Sequence, residues 1–356
     1  MKAIYIGSTT GFAGKNLITL ALGNYFQKQN YQLGYFKPVG AMPKVIKDKL
    51  WDEDAYLSLD FFGLKEEPEV VTPVLITRDF KIKSYQGECY HYLDTIKESF
   101  TKISKDKDIV LIGGSGSFLY SGKYCGLDGI NISSLLKARV ILVDRFKNEL
   151  NYDYLLAAKE VLGDNLLGVV LNDIPDYYWK ETEEFIIPLL ERNEVRVLGA
   201  IPSDPLLKSI TVQELADKLG GKIISMRSKG DRVVKNFLIG TMQLENFLTH
   251  FRKNRDAAII VGGDRSDVQL VALEGNSPCL ILTGNLYPND IILTRSEVLG
   301  IPIIVVRDDT FTVARKVETI LFRSKLREPI KLSQACKLVQ SCLDLKSLES
   351  SLGLKG

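Results

Sequence analysis

The feature that most constrains this chain lies near its start. Residues 7–16 read Gly7-Ser8-Thr9-Thr10-Gly11-Phe12-Ala13-Gly14-Lys15-Asn16, after an apolar strand-like run and before a helix-period segment. Glycines let main-chain N–H groups converge on an anion, and a helix N-terminus adds partial positive charge. Lys15 supplies a full charge for terminal phosphates. The segment therefore reads as a phosphate-binding loop, with Thr9, Thr10, Gly11, Phe12, Ala13, Gly14, Lys15 and Asn16 as the candidate phosphate or nucleotide contacts. The strict pattern asks for Gly five places before Gly14 and Ser or Thr after the lysine. Thr9 and Asn16 stand there instead. Asn16 keeps an amide oxygen that can meet a cation. The bland alternative is a glycine-rich turn with a surface lysine; the strand before and the helix after favour the phosphate reading.

The rest of the first half supports a parallel sheet. Near-continuous apolar runs at 3–7, 32–36, 109–112, 140–143, 167–171 and 197–200 suit strands buried on both faces. Helix-period segments separate them at 16–29, 92–105, 154–162 and 180–190. In the first, Leu17, Leu20, Ala21 and Phe26 mark the apolar face; in the second, Leu93, Ile96, Phe100 and Ile103 do. That alternation implies an α/β, helix–sheet–helix architecture. Pro202 and Pro205 interrupt it, and Thr211 with Glu214 reads as a capping box opening a short helix. A second alternation follows, with strands at 257–261, 280–283 and 303–306 and helices at 243–251, 267–273, 292–299 and 310–322. The tail over 332–348 is amphipathic and helical.

Composition narrows the partners. The chain has 356 residues and a formal net charge of +2, which gives no reason to expect nucleic acid or an anionic membrane surface. No apolar run is long enough to span a bilayer, and the N-terminus reads as a strand, so the expectation is a cytoplasmic protein. The scattered cysteines Cys89, Cys125, Cys279, Cys336 and Cys342 read as reduced packing residues. With only two histidines, His91 and His250, the sequence argues against a histidine-based metal site or a Ser-His-Asp triad, and each suits the surface.

Three more features fall where open α/β sheets bind ligands. Lys37, in Gly34-Tyr35-Phe36-Lys37-Pro38-Val39-Gly40, ends the second strand and reads as an anion contact or a solvated lysine. Asp52-Glu53-Asp54 precedes a helix, as caps or as metal ligands. Gly113-Gly114-Ser115-Gly116 follows the third strand, where a flexible turn is the simplest reading.

Taken in this order, these features resemble the dethiobiotin synthetase family and its relatives, which include the cobyrinic acid a,c-diamide synthases and the N-terminal domain of long bacterial phosphotransacetylases. Lys37-Pro38-Val39, Asp54-Ala55, Gly168-Val169-Val170-Leu171-Asn172 and Leu198-Gly199-Ala200-Ile201-Pro202 carry the resemblance over about residues 1 to 205. It implies a P-loop NTPase-like three-layer parallel sheet, ATP or another nucleotide as ligand, a further contact at Asn172, and Mg²⁺. It also implies metal ligands at the hydroxyl after the loop lysine, at an Asp and at a Glu ending a later strand. Here those positions hold Asn16, Asp54 and Gly113. The substitutions count against catalysis while leaving phosphate binding possible, with Lys15 and Lys37 the catalytic candidates if the chain is an enzyme.

In the second half, Gly262-Gly263-Asp264-Arg265-Ser266-Asp267-Val268, Leu282-Thr283-Gly284-Asn285 and Asp309-Thr310-Phe311-Thr312 resemble the DRTGG domain. Each segment follows an apolar strand, so a parallel sheet gathers them at one edge. Gly263, Asp264, Arg265, Asp267, Thr283, Gly284, Asp309 and Thr310 are the candidate ligand or interface residues. Arg265 suits an anion or an interface; Asp264 and Asp309 suit caps, a sugar hydroxyl or a metal.

The expected plan is 1–205 as the P-loop domain, 206–330 as a second α/β domain of DRTGG type, and 331–356 as a helical tail. The expected function is binding and regulation: a small phosphate-bearing ligand on the first domain, a second ligand or an assembly contact on the other. Alternatives are an ATP- and Mg²⁺-dependent ligase acting on a carboxylate or carbamate, and an inert structural partner of an acyltransferase, whose catalytic domain the resemblance places beyond the segments matched here. A homodimer is the default assembly.

Overall fold

The computed structural model describes residues 1–88, 92–147, 152–322 and 329–354. Cys89 and His91 lie outside the described residues. The chain divides into two units, Met1–Ser203 with Leu326–Gly356, and Asp204–Lys325.

The first unit is built on β1 (Lys2–Ser8), β2 (Leu33–Phe36), β3 (Ile109–Gly113), β4 (Arg139–Arg145), β5 (Leu166–Ile174) and β6 (Val197–Pro202). They form one sheet in the order β6-β5-β4-β1-β3-β2, every pairing parallel. Buried runs such as Ile109-Val110-Leu111-Ile112 explain why: strands covered on both faces need no polar alternation. The chain leaves β1 in one direction, toward β2, and crosses back past it between β3 and β4. That reversal opens a crevice at the carboxyl end of β1, where the glycine loop emerges.

Helices α1 (Lys15–Lys28), α2 (Glu53–Phe62), α3 (Tyr92–Ser104) and α4 (Asp153–Leu162) cover the sheet. Along α3, Ile96, Phe100 and Ile103 are buried while Leu93 is exposed, so the apolar face begins a turn later than the sequence pattern suggests. The segment at 180–190 belongs to a helical run interrupted by a π-turn over Thr182–Ile186, just before Pro188. Proline cannot donate to the ladder, and a π-turn is one way to absorb that loss.

The second unit has α5 (Val212–Leu219), β7 (Lys222–Ser225), β8 (Asn236–Ile239), α6 (Leu244–Lys253), β9 (Ala257–Gly262), α7 (Ser266–Glu274), β10 (Leu280–Thr283), α8 (Asp290–Leu299), β11 (Ile303–Val305) and α9 (Thr310–Phe322). Its sheet runs β7-β11-β10-β9-β8, parallel except for β7 on β11. Thr211 caps α5 by accepting the Glu214 N–H at 3.2 Å. Glu214 itself pairs with Lys218 instead of reaching back to close a box.

The tail folds as α10 (Pro329–Cys342) and α11 (Leu345–Leu352) and belongs to the first unit. α10 packs on α1 and reaches β6, where a side chain on Gly199 would start 2.2 Å from the Cys342 carbonyl oxygen. Arg196 donates to Ser351 at 2.7 Å and also to Ser347, holding α11. The second unit is therefore an insertion between β6 and α10. Covered by α2 on one side and α10 on the other, α1 buries Leu17, Ile18, Leu20, Ala21, Leu22 and Phe26, more than a one-faced helix would.

Candidate functional site

Loop 9–14 is shaped by its neighbours. Phe12 and Gly14 sit at φ 59° and 107°, turning the chain so that α1 starts directly after Gly14. Gly14, the N-cap, brings no side chain to the first amides of α1, so that end keeps its partial positive charge. Three polar contacts hold the loop from below. Thr9 donates to Asp144 Oδ1 at 2.5 Å, Asn172 Nδ2 donates to the Ala13 carbonyl at 2.9 Å, and Arg145 Nη1 reaches the Phe12 carbonyl at 3.3 Å. Arg145 is set by Asp173, with Nε and Nη2 each 2.8 Å from Oδ2. Burial pushes the Asp144 carboxyl above its ordinary range, and the Thr9 hydrogen bond partly offsets this.

Lys15 lies between the end of β1 and the loop after β3. Its Nζ donates to Ser8 Oγ at 2.7 Å and to the Gly116 carbonyl at 3.0 Å, so the loop after β3 closes on it. Burial lowers its pKa to about 7; the Lys37 charge acts in the same direction and Asp54 against it.

Lys37 is buried at the end of β2, its Nζ 3.2 Å from Asp54 Oδ2 and 3.3 Å from Asp52 Oδ1. Burial disfavours its charge, but the two carboxylates outweigh that and hold it above the ordinary lysine range. Asp52 caps α2, accepting the N–H groups of Asp54, Ala55 and Met42 at 3.0–3.1 Å. Of the acidic trio, then, Asp52 caps, Glu53 pairs with Lys44 at 2.9 Å, and Asp54 meets Lys37. At Gly113 the Tyr35 hydroxyl stands 2.7 Å from where a Cβ would be. A cavity of about 20 Å³ lies beside it, lined by Tyr5, Val39, Ser115, Leu127 and Ile132. That is room for about one water.

Loop residues Thr9–Asn16, Lys37, Asp54 and Asn172 thus share one sheet edge. Sequence reasoning did not single out Ser8, Tyr35, Asp144, Arg145 and Asp173. Tyr35 had a usable signal, since it lies two residues before Lys37 on β2 and strand side chains alternate. Nothing local marks the others.

The second-unit candidates collect at the ends of β9, β10 and β11. Arg265 pairs with Asp267 at 2.9 Å and reaches the Met242 carbonyl at 3.3 Å. Thr283 and Thr310 share a hydroxyl hydrogen bond at 2.8 Å. Asp309 caps α9 through the Thr312 N–H at 3.0 Å and hydroxyl at 2.6 Å, which holds its carboxyl below the ordinary range. Gly284 has φ 77° at the turn after β10, and Gly263 and Asp264 lead into α7.

Comparison with known proteins places this architecture. A model described as an AAA domain matches residues 2–211. The chain belongs to that family. A DRTGG domain model matches residues 214–320. This is therefore a P-loop nucleotide-binding domain of AAA type joined to a DRTGG domain. The phosphate acetyltransferase of Synechocystis sp. is 23% identical over 98% of this AAA–DRTGG chain and 51% of its own length. The ATP-dependent dethiobiotin synthetase of Caldicellulosiruptor saccharolyticus is 29% identical over 33% of this chain and 49% of its own length. Cobyrinic acid a,c-diamide synthase from Mycobacterium smegmatis, solved with bound ADP and magnesium, aligns at TM-score 0.38 and 13% identity, covering 57% of this chain and 87% of that one. The chain spans about half the length of the phosphate acetyltransferases it matches. No helix among the described residues is long and apolar enough to cross a membrane.

Proposed function

We propose that this protein binds a nucleotide, or a related phosphate-bearing ligand, on loop 9–14 and acts as a regulatory component, with the DRTGG unit sensing a second ligand or forming an assembly contact. One observation carries the ligand reading: the start of α1 is uncapped after a positive-φ glycine, and its first residue, Lys15, is held beside the loop by Ser8 and the Gly116 carbonyl. An anion there would accept main-chain N–H groups and draw Lys15 away from Ser8 and Gly116. Lys15 is pre-positioned and costly to keep charged, which suits a group that gains its counter-charge from the ligand.

A binding role is favoured over group transfer. Phosphoryl transfer needs cations and positioning together. Lys37 and Asp54 are engaged with each other, and Gly113 brings no carboxylate to the third position the resemblance assigns to the metal. The test is thermal-shift screening of the full chain against ADP, ATP, pyrophosphate and acyl phosphates. Stabilisation by a nucleotide, lost in Lys15→Ala, supports the reading. Steady ADP release from ATP with a carboxylate substrate would replace it with a ligase.

A further inference from the structure

The resemblance to ligases implies Mg²⁺ beside the phosphates, and the residues present do not fit it. Asp54 Oδ2 is 3.2 Å from Lys37 Nζ, inside ion-pair range. Lys37 is only 3% exposed, so it cannot release Asp54 by turning into solvent, and the same nitrogen also faces Asp52. Asp52 is fully buried, and three N–H groups occupy its oxygens. At Gly113 there is no donor side chain, and the Tyr35 hydroxyl holds the space one would enter. Burial pushes that phenol up to about 12, so it stays a neutral group. Asn16 offers a neutral amide. The described residues contain no cluster of three or more His, Cys, Asp or Glu that could hold a metal. Mg²⁺ wants a near-octahedral oxygen set, usually one or two carboxylates besides phosphate and water. Asp54, the carboxylate the resemblance assigns to the metal, already faces the Lys37 ammonium.

Lys37 sits close enough to Lys15 to lower its proton affinity, so the two lysines share one electrostatic site. A divalent ion entering there would have to compete with the Lys37 ammonium for Asp54. Resting on the nucleotide reading above, we propose that the loop takes its phosphate ligand as the free anion, with Lys37 standing in for the divalent cation at Asp54.

The test is calorimetric titration of ADP into the full chain, once with excess EDTA and once with excess magnesium chloride. The expected dissociation constants agree within about twofold, or binding is tighter in EDTA. Affinity at least about tenfold tighter with magnesium overturns the proposal and leaves the nucleotide reading standing. No binding in either buffer removes the nucleotide reading, and the proposal with it. Asp54→Asn gives an independent arm. It frees Lys37 from one carboxylate, so ADP binding in EDTA should tighten by about fivefold. A metal-dependent site would instead lose magnesium-supported affinity in the same variant.

Discussion

Asn172 Nδ2 donates to the Ala13 carbonyl at 2.9 Å, and the same nitrogen lies 2.2 Å from where a Cβ on Gly14 would be. One side chain from the end of β5 therefore fixes the turn of the phosphate loop and excludes any other residue at its last glycine. Asn172→Ala removes the partner of a buried carbonyl and should cost about 1–2 kcal/mol in urea unfolding. Gly14→Ala adds the clash and a positive φ, for about 2–3 kcal/mol. Both should weaken nucleotide binding by about tenfold or more, because the loop amides lose their aim.

Lys15 gives a pH signature with a definite sign. Its folded pKa is lowered from 10.5 to about 7, so between those values folding releases a proton and this group's contribution to stability rises with pH. Below about 7 the cost of the buried charge is fully present. A bound anion favours the ammonium, so above about pH 7 ligand binding takes up a proton and weakens, at most about tenfold per pH unit. Calorimetry in buffers of different ionisation enthalpy measures the uptake directly. A buffer-independent heat in that range contradicts this assignment.

Lys15→Met follows from the same physics. The apolar side chain fills similar space without a charge to desolvate, so the melting temperature should be no lower than wild type at neutral pH. Binding should nevertheless fall by about tenfold to a hundredfold, the usual worth of a charge-assisted hydrogen bond. A variant that is as stable as wild type but does not bind marks a functional lysine, and differential scanning calorimetry with a ligand titration checks both halves.

The tail tests the insertion topology. Gly199→Ala forces its Cβ against the Cys342 carbonyl, and α10 must shift off β6 and α1. An overpacked contact of this kind should cost about 1–3 kcal/mol. Amide exchange should quicken in α10 and α1 while β9 and β10 keep their protection. Uniform quickening across both units would contradict a tail that belongs to the first unit alone.

In the second unit, Thr283→Val strands the Thr310 hydroxyl and should cost about 1 kcal/mol by denaturant melting.

The sheet strands were legible because buried parallel strands are continuous apolar runs, and β1, β3, β4 and β5 carry them. β7 and β8 were not: Lys222–Ser225 and Asn236–Ile239 are short edge strands with exposed or half-buried positions, so their hydrophobic signal is diluted. The Pro43–Ile46 and Lys49–Asp52 hairpin is mostly exposed and also left no pattern. The loop lysine and its setting were readable from local spelling. The engagement of Lys37 with Asp52 and Asp54 was not, since it joins the end of β2 to the cap of α2 across a hairpin. Sequence left Asp52-Glu53-Asp54 open between capping and metal binding; the side-chain positions put Asp52 at the cap and beside Lys37, Asp54 on Lys37, and Glu53 on Lys44.

The most direct measurement is a binding isotherm of ADP on the full chain, compared between wild type and Lys15→Met at neutral pH. The account predicts saturable one-site binding to the wild type, at least about tenfold weaker in the variant. Equal binding by the two proteins, or none by the wild type, would contradict a nucleotide site built on loop 9–14.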